Sequence, residues 1–172
     1  MLMQTTLLDR FKAARVLAGT AIFAAALVAQ ADVTFRNDQI KVGSHPLKVE
    51  IAESDPQRTQ GLMYRKSLGK NDGMLFVFDT IEYHGMWMKN TLIPLSVAFL
   101  DDKGEILNIL DMEPQTLDTH MAAGPARYAI ETNKGWFAEK KIKAGDKVTG
   151  LPKLVVPAKA ALERLNRGAG TQ

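Results

Sequence analysis

The sequence predicts a mainly β, single-domain protein, a sandwich or barrel with two short helices among its strands and a third helix at the C-terminus. Three observations carry that prediction. Short apolar runs recur at regular spacing between turn signals, "GMLFVFD" is apolar on both alternating faces, and "LSVAFLD" and "EILNILD" flank the turn "DDKG".

The chain opens on a leader. Arg10, Lys12 and Arg15 form a basic segment, Val16–Val28 is an apolar run, and Ala29-Gln30-Ala31 is a small-x-small cleavage site. That order reads as a secretory signal peptide over 1–31. The apolar run is shorter than the roughly 20 residues of a membrane-spanning helix. Cleavage before Asp32 is expected, leaving a periplasmic or secreted protein with no membrane span, a β domain over 32–156 and a helix with a frayed tail over 157–172.

The bulk numbers narrow the function. The net charge is +3, and the leader carries three bases and one acid, so the remainder holds +1. So small a charge gives no polybasic surface for nucleic acid. The chain has no cysteine, which removes disulfides and thiol chemistry alike. A monomer stabilised by packing is expected.

The elements follow in order. "QIKVGSHPLKVEIAE" (39–53) reads as two strands around a turn at Gly43 to Pro46, because Leu47, Val49 and Ile51 alternate with Lys48 and Glu50. A short helix from Asp55 to about Leu62 follows, with Ser54 or Asp55 to cap it, Pro56 at its first turn and Gly61 at its end. "GMLFVFD" (73–79) puts Met74, Phe76 and Phe78 on one face and Leu75 and Val77 on the other, the mark of a strand covered on both sides. Gly104 suits the hairpin turn between "LSVAFLD" and "EILNILD". "RYAIET" (127–132) is another strand, "GWFAEKK" a short helix and "DKVTGL" a last strand, before the terminal helix from Pro157 to Arg167.

The densest cluster of chemistry is "HGMWMKNT" (84–91). As a strand it places His84, Met86 and Met88 on one face and Trp87 and Lys89 on the other. The first face is a set of soft donors suited to Cu(I), with His120 or Met121 as further candidates. The plainer reading makes the methionines core. The second face offers an aromatic wall, a cation and the hydrogen-bonding groups of Asn90 and Thr91, the makings of a small-molecule pocket. Against it stands a solvated Lys89, a core Trp87 and an Asn90 that shapes a turn. A third reading is acid–base chemistry by Lys89, Asp111 or His120, with Asp118 two residues before His120. No hydrolase, zinc-peptidase, phosphate-loop or calcium-loop motif is present.

"GLMYR" (61–65), "GMLFVFD", "WMKNTLIPLSVAFLD" (87–101) and "GPARYAIETNKGWF" (124–137) resemble, in this order, the uncharacterised prokaryotic family catalogued as domain of unknown function 192. The resemblance spans about Val42 to Val148. It implies a compact β domain of sandwich or jelly-roll type and no established activity or cofactor. The family's recurrent residues fall here on Gly61, Met63, Arg65, Gly73, Met74, Trp87, Met88, Lys89, Asn90, Thr91, Pro94 and Glu131. It also implies a cysteine in many members where this chain has Gln115, so a thiol mechanism cannot operate here. Arg65, Lys89 and Glu131 are hard to place by packing, since buried charge is costly unless paired. They either pair with one another or line a pocket with Trp87. The expected site is therefore Arg65, Trp87, Lys89, Asn90, Thr91 and Glu131, holding a small molecule or a periplasmic protein partner.

Overall fold

In the computed structural model, which describes residues 33–152, nine strands and two short helices run in the order β1 (Arg36–Val42), β2 (His45–Ala52), α1 (Asp55–Gln60), β3 (Asp72–Glu82), β4 (Gly85–Met86), β5 (Leu95–Leu100), β6 (Ile106–Met112), β7 (His120–Met121), β8 (Ala126–Asn133), α2 (Trp136–Glu139) and β9 (Val148–Thr149). The leader and the terminal helix expected from the sequence lie outside the described residues. No helix among the described residues is long and apolar enough to cross a membrane.

Seven strands form one curled sheet in the order β6-β5-β8-β3-β2-β1-β9, and β4 pairs with β7 in a separate two-stranded ribbon. All pairs are antiparallel except β2 with β3. That parallel pair requires a crossover, which α1 and the loop after it supply. The sheet curls until its edges meet. Glu105 bridges to Lys147, and backbone bonds run from Ile106 to Asp146 (2.9 Å) and from Val148 to Gly104 (2.8 Å). The contact is confined to this end: β1 pairs with β9 only at Lys41 and Val42, so the sheet is a half-barrel.

Alternation along the strands creates two apolar layers. Ile40, Leu47, Val49, Ile51, Leu75, Val77, Leu100 and Ile130 point to the inside, where Trp136 and Phe137 of α2 plug one end. Met74, Phe76, Phe78, Leu95, Val97, Phe99 and Ala129 point outward and form a second buried layer. The two faces of "GMLFVFD" thus divide as its alternation predicts. Among the described residues the outer layer has no second sheet upon it. It is covered by the loop after α1 (Leu62), by Met86, Met88 and Ile93, and by Ala122 after β7.

One local prediction needs correction. The strand expected over Gly85 to Lys89 stops at Met86, because "MKNT" closes a tight turn in which the Thr91 N–H donates to the Met88 carbonyl (3.1 Å). Asn90 takes the left-handed position of that turn (φ 57°), which asparagine tolerates better than other residues with a Cβ. The in–out alternation survives the turn: Met86 and Met88 are buried, Trp87 and Lys89 exposed.

Gly73 opens β3 where a strand backbone passes close by. A Cβ there would lie 2.5 Å from the Glu131 carbonyl oxygen of β8. Gly73→Ala is expected to destabilise the domain by about 1–3 kcal/mol, the usual cost of overpacking, read as a lowered urea midpoint; an unchanged midpoint would show that the two strands can part freely.

Candidate functional site

A cavity of about 590 Å³ lies between the outer face of the sheet and its loop cover. Phe76 and Phe78 of β3 and Glu131 of β8 form its floor. Gly61, Leu62 and Met63 close one side, with α1 contributing Arg58. His84, Met86, Trp87 and Thr91 form the other wall.

Glu131 is the unusual member. On β8 its cross-strand neighbours are Met74 and Val97, so its side chain projects into the apolar outer layer. It is only 3 % exposed. Among the described residues no side chain pairs with its carboxyl. Burial alone pushes its pKa from 4.5 up to about 8. At neutral pH the empty site therefore holds a protonated acid, able to donate as well as accept a hydrogen bond.

The other polar groups are largely committed. Arg58 donates to the carbonyls of Glu53 (2.7 Å) and Val77 (2.9 Å) and to the carboxylates of Asp79 (2.7 Å) and Asp55. It pins α1 against β3 and has its charge answered twice. His84 stacks on Phe78 with ring centroids 3.7 Å apart, and its Nε2 lies 3.1 Å from the Thr80 carbonyl, which places a proton on that nitrogen. The Thr91 hydroxyl makes one long contact, 3.4 Å to the Lys89 carbonyl. Trp87 stands at the mouth, 47 % exposed, with the Lys89 ammonium 5.3 Å from its ring centroid.

Of the six residues expected to form the site, Trp87, Thr91 and Glu131 line the cavity. Lys89 reaches it only by stacking on Trp87. Asn90 supports it from behind: its carbonyl accepts the Tyr64 N–H (2.9 Å), and its Nδ2 lies 3.9 Å from Met63 Sδ. Arg65 is elsewhere. Its guanidinium forks onto the Glu50 carboxylate with two bonds of 2.6 Å, so the pairing of Arg65 or Lys89 with Glu131 weighed from the sequence is not formed.

The soft-donor set is divided. His84 and Met86 line the cavity, Met88 is wholly buried in the outer core, and Met121 is exposed. His120 faces Met86 across the β4–β7 ribbon, with a buried Nδ1 that has no hydrogen-bond partner. Among the described residues no three histidine or carboxylate side chains gather as a metal site. The acid–base candidates are also apart. Asp111 accepts a 2.5 Å bond from Ser96, whose oxygen accepts the Gly135 N–H, and so it fixes the start of α2. Sequence reasoning missed Arg58 and Phe78 as site residues. Arg58 looks like an ordinary helix-surface residue until β3 brings Asp79 beside it.

Residues 38–150 match the family described as "Uncharacterized ACR", domain of unknown function 192, and the chain belongs to that family. Two solved structures are similar. One is a protein of Sinorhizobium meliloti 1021 provisionally described as a transcription regulator, with 32 % identity, a TM-score of 0.65, and 68 % of this chain and 95 % of that chain covered. The other is a protein of unknown function from Novosphingobium aromaticivorans DSM 12444, with 32 % identity, a TM-score of 0.63, and 65 % and 84 % covered. None of the curated proteins matches the chain.

The raised Glu131 pKa has a stability consequence. The folded state holds this proton more tightly than the unfolded state, so the contribution is full below about pH 4.5 and is lost as pH rises to about 8. At about 1.4 kcal/mol per pKa unit, the loss amounts to several kcal/mol. Glu131→Gln cannot ionise. Urea midpoints of wild type and Glu131→Gln should lie close near pH 5 and diverge by pH 9, with the variant the more stable; parallel curves would mean that Glu131 ionises at no cost.

Proposed function

We propose that this member of the family is an exported small-molecule-binding domain whose binding site is the cavity over Glu131. The observation that carries the reading is the carboxyl itself. A protein gains nothing in stability from an unpaired acid in an apolar layer, and the cost at neutral pH is reduced only by keeping it protonated. Such a group on the floor of a cavity of this size, beneath aromatic walls, is the pattern of a ligand pocket: mostly apolar surface with a few polar groups to orient the occupant. The leader supports export, and the absence of cysteine suits a domain held together by packing.

The division of labour follows from the geometry. Phe76 and Phe78 supply a rigid wall because they belong to a central strand. Trp87 and His84 supply the opposite wall from a loop segment, which can shift to admit a ligand. Thr91 and Glu131 are the polar contacts at depth. No reaction is assigned, because among the described residues no activated nucleophile and no oriented acid–base pair faces the cavity. The rival use of the same wall, a Cu(I) site built on His84 and Met86, lacks Met88, whose side chain is sequestered in the core.

Native mass spectrometry of the protein purified from the cell that makes it is the direct test. An organic mass retained by wild type and lost in Trp87→Ala, with an unchanged thermal melt, is the expected result. A retained copper ion would favour the soft-metal reading. A protein that carries nothing and takes up nothing from a metabolite extract would remove the ligand-binding reading.

A further inference from the structure

We infer that the occupant of this cavity is a small amphiphilic amine, its ammonium head seated against Glu131 and its hydrocarbon body lying along Phe76, Phe78, Met86 and Trp87. The inference rests on the cavity being a ligand site and names the chemistry that site selects.

The first argument is charge. The ionisable groups lining the cavity are Asp55, Arg58, Asp79, His84 and Glu131. Arg58 is the one permanent cation among them, and two carboxylates and two backbone carbonyls already occupy its donors. Among the described lining residues an anion would meet carboxyl groups and no uncommitted cation, the Lys89 ammonium lying outside the lining over Trp87. An ammonium meets the reverse: a carboxyl with both oxygens unclaimed by any described side chain. Desolvated charge is tolerable when paired, so an ammonium is the occupant that turns the buried acid from a cost into an ion pair.

The second argument is the wall. The phenyl rings of Phe76 and Phe78, the thioether of Met86 and the indole of Trp87 give the amine's carbon chain an apolar seat, and aromatic faces attract cations. Trp87 already holds one, since Lys89 lies over its ring. A bare metal ion fits less well, because no three histidine or carboxylate side chains gather here among the described residues.

Seating the ammonium has a proton balance. The amine arrives as R–NH3+, Glu131 gives up its carboxyl proton to solvent, and the ion pair R–NH3+···−OOC remains. The groups facing Glu131 do not obscure this signal. Its strand neighbours are Met74 on β3 and Val97 on β5, Thr91 faces it from the turn, and Asp55, Arg58, Asp79 and His84 line the same cavity. Burial accounts for the carboxyl's retained proton without a contribution from any of them.

The experiment titrates the purified protein with hexylamine, hexanol and hexanoate by calorimetry near pH 7, each in two buffers of different ionisation enthalpy. Hexylamine should bind at least about tenfold more tightly than hexanol, a gap of about 1.4 kcal/mol, and should release most of one proton. Hexanol should release none. Glu131→Gln should bring hexylamine down to the affinity of hexanol and leave hexanol unchanged, while proton release by wild type reads the ion pair without any variant. Hexanol or hexanoate binding as tightly as hexylamine, or amine binding without proton release, would overturn the amine assignment and leave the cavity a ligand site. Binding of none of the three at millimolar concentration would overturn both readings together.

Discussion

The sheet of this protein is apolar on both sides, and the rest of the structure follows from the need to cover the outer one. Curling disposes of the inner face, since closure through Glu105 and Lys147 surrounds it with its own strands and α2 stops the end. The outer face has no such solution. Segments with almost no secondary structure cover it, and a loop cover is stable only if its backbone groups find partners. The turn at Met88–Thr91 meets that requirement for three loops at once. Met88 anchors it in the outer core, the Asn90 carbonyl accepts Tyr64 from the loop after α1, and the Thr91 carbonyl accepts Gln115 (3.1 Å) from the loop after β6. The Ala122 N–H reaches the His84 carbonyl (2.9 Å) and ties down the far end.

That arrangement explains why a cavity exists and why it lies where it does. Loops fixed by a few hydrogen bonds cannot interdigitate with a sheet as a second sheet would, and space remains where α1 and the segment around Trp87 fail to meet. Glu131 projects into that space because β8 is alternating in–out through Ile130 and Thr132, and its parity gives it no choice. Gly73 sharpens the constraint. It lets β3 approach β8 closely at Glu131, so the backbone that carries the carboxyl is held by a contact no other residue type would allow.

Much of this was legible in the sequence, and the boundary is physical. Alternation is a local property, so the two faces of "GMLFVFD", the hairpin of β5 and β6 and the opposite facing of Trp87 to Met86 and Met88 could be read directly, though not which of those faces is exposed. Turn chemistry is local too, and Asn90 fits the expectation that asparagine shapes a turn. Pairing across the fold is not local. Nothing near Arg65 announces that Glu50, on a strand reached through a parallel crossover, will take its guanidinium. Nothing near Arg58 announces Asp79. Glu131 entered the expected site through the family resemblance, as a charge hard to place by packing, but only the register, which sets Met74 and Val97 on either side of it, shows that its partner is not a side chain of the described domain.

The interior of the barrel could not have served as the site. Trp136, Phe137 and the inward side chains of the strands pack together within its concave side. The 590 Å³ cavity lies instead in the outer layer, between one wall that is part of the sheet and one that is part of its cover. The two walls differ in what holds them. Phe76 and Glu131 are held by the pairing of β3 with β8, whereas Trp87 is exposed and held by its buried neighbours Met86 and Met88. The buried carboxyl thus sits on the wall held by strand pairing, and the exposed indole on the wall supplied by the loop cover. The turn at Met88–Thr91 stands beside them, so the residues most distinctive in the sequence fasten the cover together and only in part line the cavity.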